Sequence, residues 1–346
     1  MTLDIKRRAF EGDVHMRLLS NHHAVGFVVG TVLACITLNV SAWAQSDPLP
    51  SWNATPLKQA ILDFVKASTS EGHPKYVVPK DRVAVFDMDG TLAPEKPVPI
   101  ALIPVLADVK EAVAAKPFLG EKPAVAALLK GDEQALHAAG QQGILDLVNV
   151  GTDGKTTEEI VKNVRPLLDK GIHPKFKVPY SKTAYQPMRE LLALLEANGF
   201  QNWISSGSPL LITRELSMEM FGIPPERVIG SYVGTKFDER DGRTVLVFDG
   251  RIANFNDGAG KPVSINNALG KRPAFIAGNE GGRGDIAMMR WSKDRDGPSF
   301  QLLINHDDEL REYAYSESDN YSLEAAKKYG FHIVSMKDDW KTTIER

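Results

Sequence analysis

The sequence predicts an α/β fold, in which a doubly wound parallel sheet carries an inserted helical subdomain. Two observations indicate the sheet: short apolar runs recur along the chain, and helices with one apolar face stand between them. A third observation indicates the insert, because residues 97–180 are rich in Ala and Leu and contain no run typical of a strand. We therefore predict an α/β core over residues 45–96 and 181–346, interrupted by the helical segment 97–180.

Composition limits the classes of partner. The 346 residues are 43% hydrophobic and 25% charged, which is typical of a globular chain with room for one large domain and a smaller one. The net charge is −3 and both signs are well mixed, so the chain lacks the basic field that nucleic-acid binding requires. We expect no nucleic-acid partner.

The N-terminal segment predicts export. Residues 24–40 are uncharged and mostly apolar, and residues 42–44 (Ala-Trp-Ala) form a small-x-small cleavage pattern. We expect residues 1–44 to be a signal peptide that is cleaved before Gln45, with Met16 as an alternative start. An uncleaved anchor is the other interpretation, but the run is shorter than the roughly 20 apolar residues of a spanning helix. The prediction is a periplasmic or secreted protein without stable membrane association after cleavage.

The cysteine and histidine residues predict no zinc site. The only cysteine, Cys35, lies within the predicted signal peptide, so the mature protein would have neither a disulfide nor thiolate ligands for zinc. The remaining histidines are not spaced as metal ligands on one helix face, and we interpret them as surface or core residues. They are His73, His137, His173, His306 and His332.

The first elements follow from capping and apolar runs. Thr55 and Pro56 predict the N-cap and first turn of a helix that ends before Glu71. Residues 83–86 (Val-Ala-Val-Phe) are continuously apolar, which is typical of a strand buried on both faces of a parallel sheet. A buried core strand of the sheet is therefore expected here.

Later elements are predicted in the same way. Within the insert, Thr156 and Glu159 indicate a capping box at the start of a helix reaching Leu168. Pro187 and Gly199 bound a helix with one apolar face. Further strands are predicted at 201–205, 274–277 and 300–305, a hairpin at 244–248 and 251–255 around Asp249-Gly250, and a helix start at 305–309.

Two aspartates follow the first core strand. In a doubly wound sheet, ligands bind just beyond the carboxyl ends of the strands, so residues at those positions are considered together. Asp87 and Asp89 can act as a nucleophile and as a group that exchanges a proton with a leaving oxygen. Gly90 allows the chain to turn sharply there. The pattern predicts covalent chemistry at this strand end.

Oxygen and cation donors follow the other strands. Since a phosphate dianion repels a carboxylate, the site needs a hard cation, and Mg²⁺ can be bound by oxygens of Asp87, Asn279 and Asp285. A hydroxyl donor, Ser206, and a cation, Lys261, can stabilise charge on transferred phosphoryl oxygens. These residues together predict phosphoryl transfer.

The same residues resemble the motifs of the haloacid dehalogenase-like hydrolases. Residues 87–91 (Asp-Met-Asp-Gly-Thr) resemble the first motif, Ser206 with Gly207 the second, Lys261 the third and residues 279–285 the fourth. They stand in the family's order, and the resemblance spans residues 52–346. It implies a Rossmann-like core, and it places the helical insert where the phosphoserine phosphatase-like branch carries its cap.

The resemblance also implies roles for these residues. Asp87 would be phosphorylated, Asp89 would act as acid and base, and the backbone carbonyl of Asp89 would join the metal ligands. Thr91, Ser206, Gly207 and Lys261 are assigned to phosphate binding. Members similar to the dehalogenases themselves lack the second acid, and the ATPase branch has threonine there, so Asp89 favours a phosphatase.

The substrate predicted is a small phosphorylated metabolite. Phosphoserine, phosphocholine and the broad range of an acid phosphatase are the alternatives for the reaction. A non-catalytic phosphate-binding protein of the same fold is a further alternative, motivated by two departures from the family pattern. Asn279 stands where an aspartate is usual, and residues 280–284 lengthen the loop before Asp285.

Several assignments have alternatives in the sequence. Glu280 can substitute for Asn279 as a metal ligand, and Ser205 for Ser206 as the phosphate-binding serine. Lys271 is the alternative to Lys261. Arg214 is a weak additional candidate for a substrate anion, because an arginine on a helix is more often a solvated surface charge.

Overall fold

The fold is taken from a computed structural model, which describes residues 47–281 and 283–345. The predicted signal peptide, residues 1–44, lies outside the described residues. No helix in this part of the chain combines the length and the apolar character that crossing a membrane requires.

Strands and helices alternate along the described chain. The strands are β1 (Val83–Phe86), β2 (Gln201–Pro209), β3 (Val228–Arg240), β4 (Arg243–Asn254), β5 (Phe275–Asn279), β6 (Phe300–Asn305) and β7 (His332–Ser335). The helices are α1 (Pro56–Thr69), α2 (Leu102–Ala115), α3 (Pro123–Lys130), α4 (Glu133–Thr152), α5 (Thr157–Lys162), α6 (Val164–Lys170), α7 (Gln186–Ala197), α8 (Leu210–Phe221), α9 (Gly260–Leu269), α10 (Gly284–Lys293), α11 (Tyr321–Tyr329) and α12 (Met336–Asp339).

These strands form one sheet in the order β4-β3-β2-β1-β5-β6-β7. Neighbouring strands are parallel, except that β3 and β4 are antiparallel. The first strand lies in the middle, and later strands extend the sheet outward on both sides. This topology confirms the predicted doubly wound α/β class.

The central strand is buried on both faces. Ala84 and Phe86 pack into an apolar core with α1, α7 and α8, whereas Val83 and Val85 pack into a second core with α9, α10 and α11. Successive side chains of a strand point to opposite faces, so a continuous apolar run is what two covered faces require. The carboxyl end of β1 is therefore held at the centre of the sheet, between two packed layers.

Two helix caps predicted from the sequence are present in the structure. Thr55 caps α1 by accepting a 3.4 Å hydrogen bond from the N–H of Lys58. In the predicted capping box, the N–H of Glu159 donates to Oγ1 of Thr156 at 3.1 Å, and Oε2 of Glu159 accepts from the N–H of Thr156 at 2.7 Å. Both helix starts agree with the sequence prediction.

The helix from this capping box is shorter than predicted. It ends at Lys162, and a second helix begins at Val164 rather than continuing to Leu168. Pro166 explains the break. A proline has no N–H to donate to the carbonyl of Lys162, four residues earlier, and its ring clashes with that carbonyl. The prediction of one helix over this span was wrong.

The hairpin turn also differs from the prediction. The turn lies at Asp241-Gly242, where both residues have positive φ (50° and 74°), as a two-residue type I′ turn requires. Asp249-Gly250 lies inside β4 instead, at an irregularity where the pairing register with β3 shifts. Both Asp-Gly pairs are typical turn sequences. Strand β3, which was not predicted from the sequence, pairs with β4 from Arg240 and Arg243 onward, and this pairing fixes the turn at Asp241-Gly242.

The predicted insert, residues 97–180, contains helices α2 to α6. Helices α4 and α5 of the insert contact β4, and α5 and α6 contact α8 of the core. Helix α4 is interrupted at Gly140, whose φ of 54° and ψ of −151° are not helical. The insert is helical as predicted, and it packs against the end of the sheet where β2 leads into α8.

Candidate active site

The carboxyl ends of β1, β2 and β5 lie side by side at the middle of the sheet. Asp87 follows β1 directly, and its N–H donates a 3.0 Å hydrogen bond to the carbonyl of Ala277 in β5. Ser206 lies in the last half of β2, and Asn279 ends β5. The parallel register therefore brings together site candidates that are far apart in the sequence.

Lys261 bridges two buried carboxylates. Its Nζ donates to Oδ1 of Asp87 at 2.7 Å and to Oδ1 of Asp285 at 2.5 Å. All three side chains are less than a tenth exposed. Lys261 lies in the first turn of α9 and Asp285 in the first turn of α10, where the helix dipole favours a carboxylate. One ammonium group faces two carboxylates. When both carboxylates are ionised, the cluster has an excess negative charge that favours a further cation.

Burial governs the protonation of this cluster. Burial raises the pKa of Asp87 well above its ordinary value, the carboxylate of Asp285 raises it further, and Lys261 opposes the shift. Burial alone would lower the pKa of Lys261, but attraction by Asp285 and Asp87 outweighs it and raises that pKa. A cation placed beside Asp87 would lower the pKa of its carboxyl and favour the ionised nucleophile.

Asp89 is held by a serine that the sequence analysis did not single out. Oδ2 of Asp89 accepts a 2.7 Å hydrogen bond from Oγ of Ser208, while its Oδ1 is buried and has no hydrogen-bond partner among the described residues. Burial raises the pKa of Asp89 to about 6; the Ser208 hydroxyl opposes the shift, and the Glu95 carboxylate adds to it. Asp89 can therefore both carry and give up a proton near neutral pH.

The turn after β1 requires glycine. Gly90 has a φ of 79°, which side-chain-bearing residues rarely adopt, and a Cβ there would lie 2.0 Å from Nδ2 of Asn279. The carbonyl of Gly90 accepts a 2.9 Å hydrogen bond from Nε2 of His306. Close packing against Asn279 and the bond from His306 together fix the path of the loop that carries both aspartates.

The adjacent serines of β2, Ser205 and Ser206, have different surroundings. Oγ of Ser205 accepts a 3.1 Å hydrogen bond from Nδ2 of Asn256, which also donates to the carbonyl of Ser206 at 2.9 Å. Oγ of Ser206 accepts from the N–H of Ser208 at 3.1 Å, and its hydroxyl also lowers the pKa of Asp89. The geometry favours Ser206 over Ser205 as the serine that faces the two aspartates.

The other candidates for phosphate binding lie in different parts of the fold. Oγ1 of Thr91 lies 3.4 Å from Oδ2 of Asp87, so Thr91 belongs to the same loop cluster. Gly207 follows Ser206 at the end of β2. Lys271 instead donates to Asp81 at 2.9 Å, before the amino end of β1, which removes it as an alternative to Lys261.

The predicted metal donors are oxygen atoms, the ligand type that a hard cation such as Mg²⁺ prefers. The backbone N–H of Asn279 donates to Oδ2 of Asp285 at 3.0 Å, and its side-chain Nδ2 donates to the carbonyl of Glu280 at 3.0 Å. Oxygen ligands supplemented by substrate phosphate are the environment that Mg²⁺ prefers. No three His, Cys, Asp or Glu side chains form a metal-binding cluster within the described residues, so the amide of Asn279 and the carbonyl of Asp89 would complete the set.

Glu280, the alternative ligand, has one carboxylate oxygen bonded to another segment, while its Oε2 has no hydrogen-bond partner among the described residues. It is fully buried, and its Oε1 accepts a hydrogen bond from the N–H of Glu317. Its own N–H donates to the carbonyl of Ile304 at 2.9 Å. Glu280 thus ties the loop after β5 to the segment after β6, whereas Asn279 touches the catalytic loop at Gly90.

The segment after β6 is not the helix start that its acidic residues predict. Residues 306–320 form turns and coil. Asp308 accepts a 3.2 Å hydrogen bond from the N–H of Arg311 and pairs with its guanidinium, whose Nη1 donates to the carbonyl of Trp340 at 2.7 Å. These contacts with the C-terminal part of the fold replace helical hydrogen bonds. They place His306 against the loop that carries Asp87 and Asp89.

His306 and Ser208 are the residues that the sequence analysis missed. His306 is buried, and its Nδ1 lies 3.3 Å from Oε2 of Glu312, which is also fully buried. His306 follows β6 directly, so the rule that relates strand ends to binding sites points to it as well. Ser208 stands two residues after Ser206 on the same side of an extended segment, a spacing that indicates a shared surface.

Comparison with known proteins gives one family. The model of the haloacid dehalogenase-like hydrolases matches residues 84–290, more than half of the chain, which confirms the resemblance seen in the motifs. No curated protein sequence matches significantly.

Solved structures with a similar fold share little sequence with the chain. A functionally unknown protein from Anaerococcus prevotii has a TM-score of 0.49 and 16% identity, covering 81% of this chain and 91% of that one. A protein of unknown function from Bordetella pertussis has 0.47 and 16%, covering 74% and 98%. A phosphoserine phosphohydrolase-like protein from Francisella tularensis has 0.39 and 13%, covering 73% and 94%. At these scores the likenesses carry no argument about function.

Proposed function

The chain belongs to the haloacid dehalogenase-like hydrolases, and on this premise we propose that it is a phosphatase that hydrolyses small phosphomonoesters through an aspartyl-phosphate on Asp87. The observation that carries the proposal is the pairing of Asp87 with Asp89. Asp87 lies against the buried cation Lys261, and Asp89 keeps one carboxyl oxygen without a partner among the described residues. A protein that only binds phosphate needs neither a nucleophile nor an acid.

In the first step, an oxygen of Asp87 attacks phosphorus in line with the leaving group. The new bond joins Asp87 to phosphorus as the bond from phosphorus to the leaving oxygen breaks. Asp89 gives its proton to that oxygen, which leaves as an alcohol. Lys261 and the hydroxyl of Ser206 stabilise the negative charge on the transferred group.

In the second step, water cleaves the aspartyl-phosphate. Asp89, now ionised, takes a proton from the water as its oxygen attacks phosphorus. The bond between Asp87 and phosphorus breaks, which restores the carboxylate and releases inorganic phosphate. The pKa of about 6 suits Asp89 to both roles, because it is close to the pH at which both steps must proceed.

The proposal includes magnesium. Held by Asp87, the carbonyl of Asp89, Asn279 and Asp285, Mg²⁺ would offset the repulsion between the carboxylate and the phosphate dianion. The buried arrangement of two carboxylates around a single ammonium group supports this donor set. Asn279 contributes no charge, so we expect weaker metal binding than with a third carboxylate.

The proposed site of action is outside the cytoplasm. The apolar run at 24–40 and the Ala-Trp-Ala pattern at 42–44 support cleavage before Gln45. N-terminal sequencing of the protein recovered from the periplasmic fraction of a Gram-negative host expressing the full-length chain tests this proposal. A first residue of Gln45 is expected, and an intact N-terminus in the membrane fraction would contradict it.

Phosphate release from 4-nitrophenyl phosphate tests the proposed reaction. The full-length chain should release phosphate only when Mg²⁺ is added, and Asp87→Asn should reduce the rate by at least a thousandfold, because the amide is a poor nucleophile. Asp81→Asn is the matched control, since Asp81 lies before the amino end of β1. Equal activity of wild type and Asp87→Asn, or no hydrolysis of this ester or of phosphoserine and phosphocholine, would overturn the proposal.

A further inference from the structure

An apolar cleft opens between the helical insert and the core. Its cavity volume is about 60 Å³. Insert side chains form one wall, and side chains of α8 and of the β3–β4 hairpin form the other. The walls include Val105, Ile144 and Val148 from the insert and Leu211, Tyr232 and Phe248 from the core.

Three polar side chains in the walls, those of Asp108, Thr152 and Ser231, already have partners. Asp108 is the only charged residue lining the cleft, and it forms a 2.8 Å ion pair with Lys155. Oγ1 of Thr152 donates to the carbonyl of Val148 at 2.9 Å, and Oγ of Ser231 accepts from a backbone N–H at 3.0 Å. The lining therefore offers no unpaired charge to a ligand, and it favours contact with apolar groups.

The cleft adjoins the catalytic groups. Gly207 and Pro209 line it, and Ser208 between them holds Asp89, the residue that would protonate the leaving oxygen. A leaving group that receives its proton from Asp89 therefore lies next to the chain segment that forms the cleft wall. The same segment begins at Ser206, beside the proposed phosphate position.

We propose that the preferred substrates are phosphomonoesters of alcohols with an apolar alkyl or aryl group, which occupies this cleft while phosphate binds at Asp87. The proposal rests on the phosphatase function proposed above. Phosphoserine is a poor fit, because its ammonium and carboxylate groups would lose their hydration against walls without unpaired charge. Arg214 does not change this conclusion, since it is not among the lining residues.

Hydrolysis of a homologous series tests the proposal at constant leaving-group chemistry. The full-length chain is assayed with Mg²⁺ on ethyl, butyl and hexyl phosphate and on O-phosphoserine. Burial of one CH₂ group is worth roughly 0.8 kcal/mol, about fourfold in affinity. We expect kcat/KM to rise at least tenfold from ethyl to hexyl phosphate, mainly through KM, and phosphoserine to rank with or below ethyl phosphate.

Variants of the wall locate the effect. Ile144 and Leu129 are both on insert helices and are 41% and 42% exposed, but only Ile144 lines the cleft. Ile144→Asp should lower the hexyl-to-ethyl ratio about tenfold, and Leu129→Asp should leave it unchanged. From the core wall, Tyr232→Ser should also lower the ratio, whereas Phe237→Ser, on the same strand but outside the cleft, should not.

The outcomes separate the two proposals. Hydrolysis with no dependence on chain length, or a preference for phosphoserine, would overturn the apolar-substrate proposal and leave the phosphatase proposal standing. A chain-length preference that neither wall variant reduces would overturn the assignment to this cleft. If no ester is hydrolysed, the phosphatase proposal fails, and this inference fails with it.

Discussion

Ser208 controls how the second aspartate of the site is held. Its hydroxyl donates the 2.7 Å hydrogen bond to Asp89 and opposes the burial that raises the pKa of Asp89. We predict that Ser208→Ala lowers kcat/KM by roughly ten- to a hundredfold, because a hydrogen bond to a charged group is worth about 1.5–3 kcal/mol. Steady-state kinetics on 4-nitrophenyl phosphate measures this loss.

Ser208→Thr is the conservative control for that prediction, since threonine keeps the hydroxyl. It should retain most of the activity of wild type, and both variants should melt close to wild type. Full activity of Ser208→Ala would show that Asp89 does not depend on this contact. A loss of activity in Ser208→Thr as large as in Ser208→Ala would mean that packing, rather than the hydroxyl, is what matters.

Residues of the candidate site were predictable where they belong to a short motif. Asp87, Asp89 and Gly90 are adjacent in sequence, so their spacing alone indicates a shared loop. Ser208 and His306 were not found, because their roles arise from contacts across strands that lie far apart in the sequence. Their positions at strand ends mark both residues only as neighbours of the site, and no local pattern shows that Ser208 holds an aspartate.

At the scale of elements, the segment after β6 packs against the loop that carries Asp87 and Asp89. Its His306 donates to the carbonyl of Gly90, and its Glu312 is fully buried beside His306. We predict that His306→Phe lowers the free energy of unfolding by roughly 3 kcal/mol, because it leaves the polar side chain of Glu312 buried without this partner. Urea denaturation followed by circular dichroism measures the change.

The double variant His306→Phe/Glu312→Leu distinguishes this explanation from a simple loss of packing. Replacing both buried polar groups by apolar side chains should recover at least half of the lost stability. A double variant as unstable as the sum of the two single variants would show that the two residues do not act as a pair.

His173 joins the two ends of the helical insert. Its Nε2 donates to the carbonyl of Lys96 at 2.9 Å, and its Nδ1 accepts from the N–H groups of Lys175 and Phe176 at 3.2 and 3.3 Å. This pattern requires a neutral ring, and burial lowers the pKa of His173. A proton on Nδ1 would remove both accepted hydrogen bonds.

Stability should therefore depend on pH through His173. The unfolded chain takes up the proton at the ordinary pKa of about 6.5, whereas the folded chain resists it, so the free energy of unfolding falls as the pH drops through that value. We predict that His173→Asn, which keeps an acceptor but does not titrate, loses less unfolding free energy than wild type between pH 7.5 and pH 5. Denaturant titrations at both pH values check this, with a substitution of an exposed histidine, His73→Gln, as the control, and equal losses in wild type and His173→Asn would contradict it.

Elements with local signals were predicted better than elements defined by pairing. The bounds of β1 and β6 agree with the sequence prediction, because buried parallel strands are continuous apolar runs. Strand β3 was missed and the hairpin turn was misplaced, because the chain has two Asp-Gly turn signals, at 241–242 and 249–250, and only the pairing of β4 with β3 distinguishes them. Cross-strand pairing at the sheet edge, rather than local preference, sets its register.

At the scale of the whole molecule, the fold explains why the site stands where it does. The central strand ends at Asp87, the neighbouring strands deliver Ser206 and Asn279, and the helices that return across the sheet place Lys261 and Asp285 at their first turns. The fold class and this arrangement followed from the sequence, because strand ends share one edge of a parallel sheet. The apolar cleft did not, since it depends on how the insert packs against α8 and the β3–β4 hairpin.

The central claim is that phosphate passes through Asp87, and covalent capture tests it most directly. Full-length protein mixed with excess substrate and Mg²⁺ is quenched in acid within milliseconds, digested and analysed by mass spectrometry. We predict a phosphorylated peptide containing Asp87, lost on treatment with hydroxylamine and absent from Asp87→Asn. Rapid turnover with no phosphorylated peptide at any quench time, or phosphate carried on another residue, would contradict the proposed mechanism.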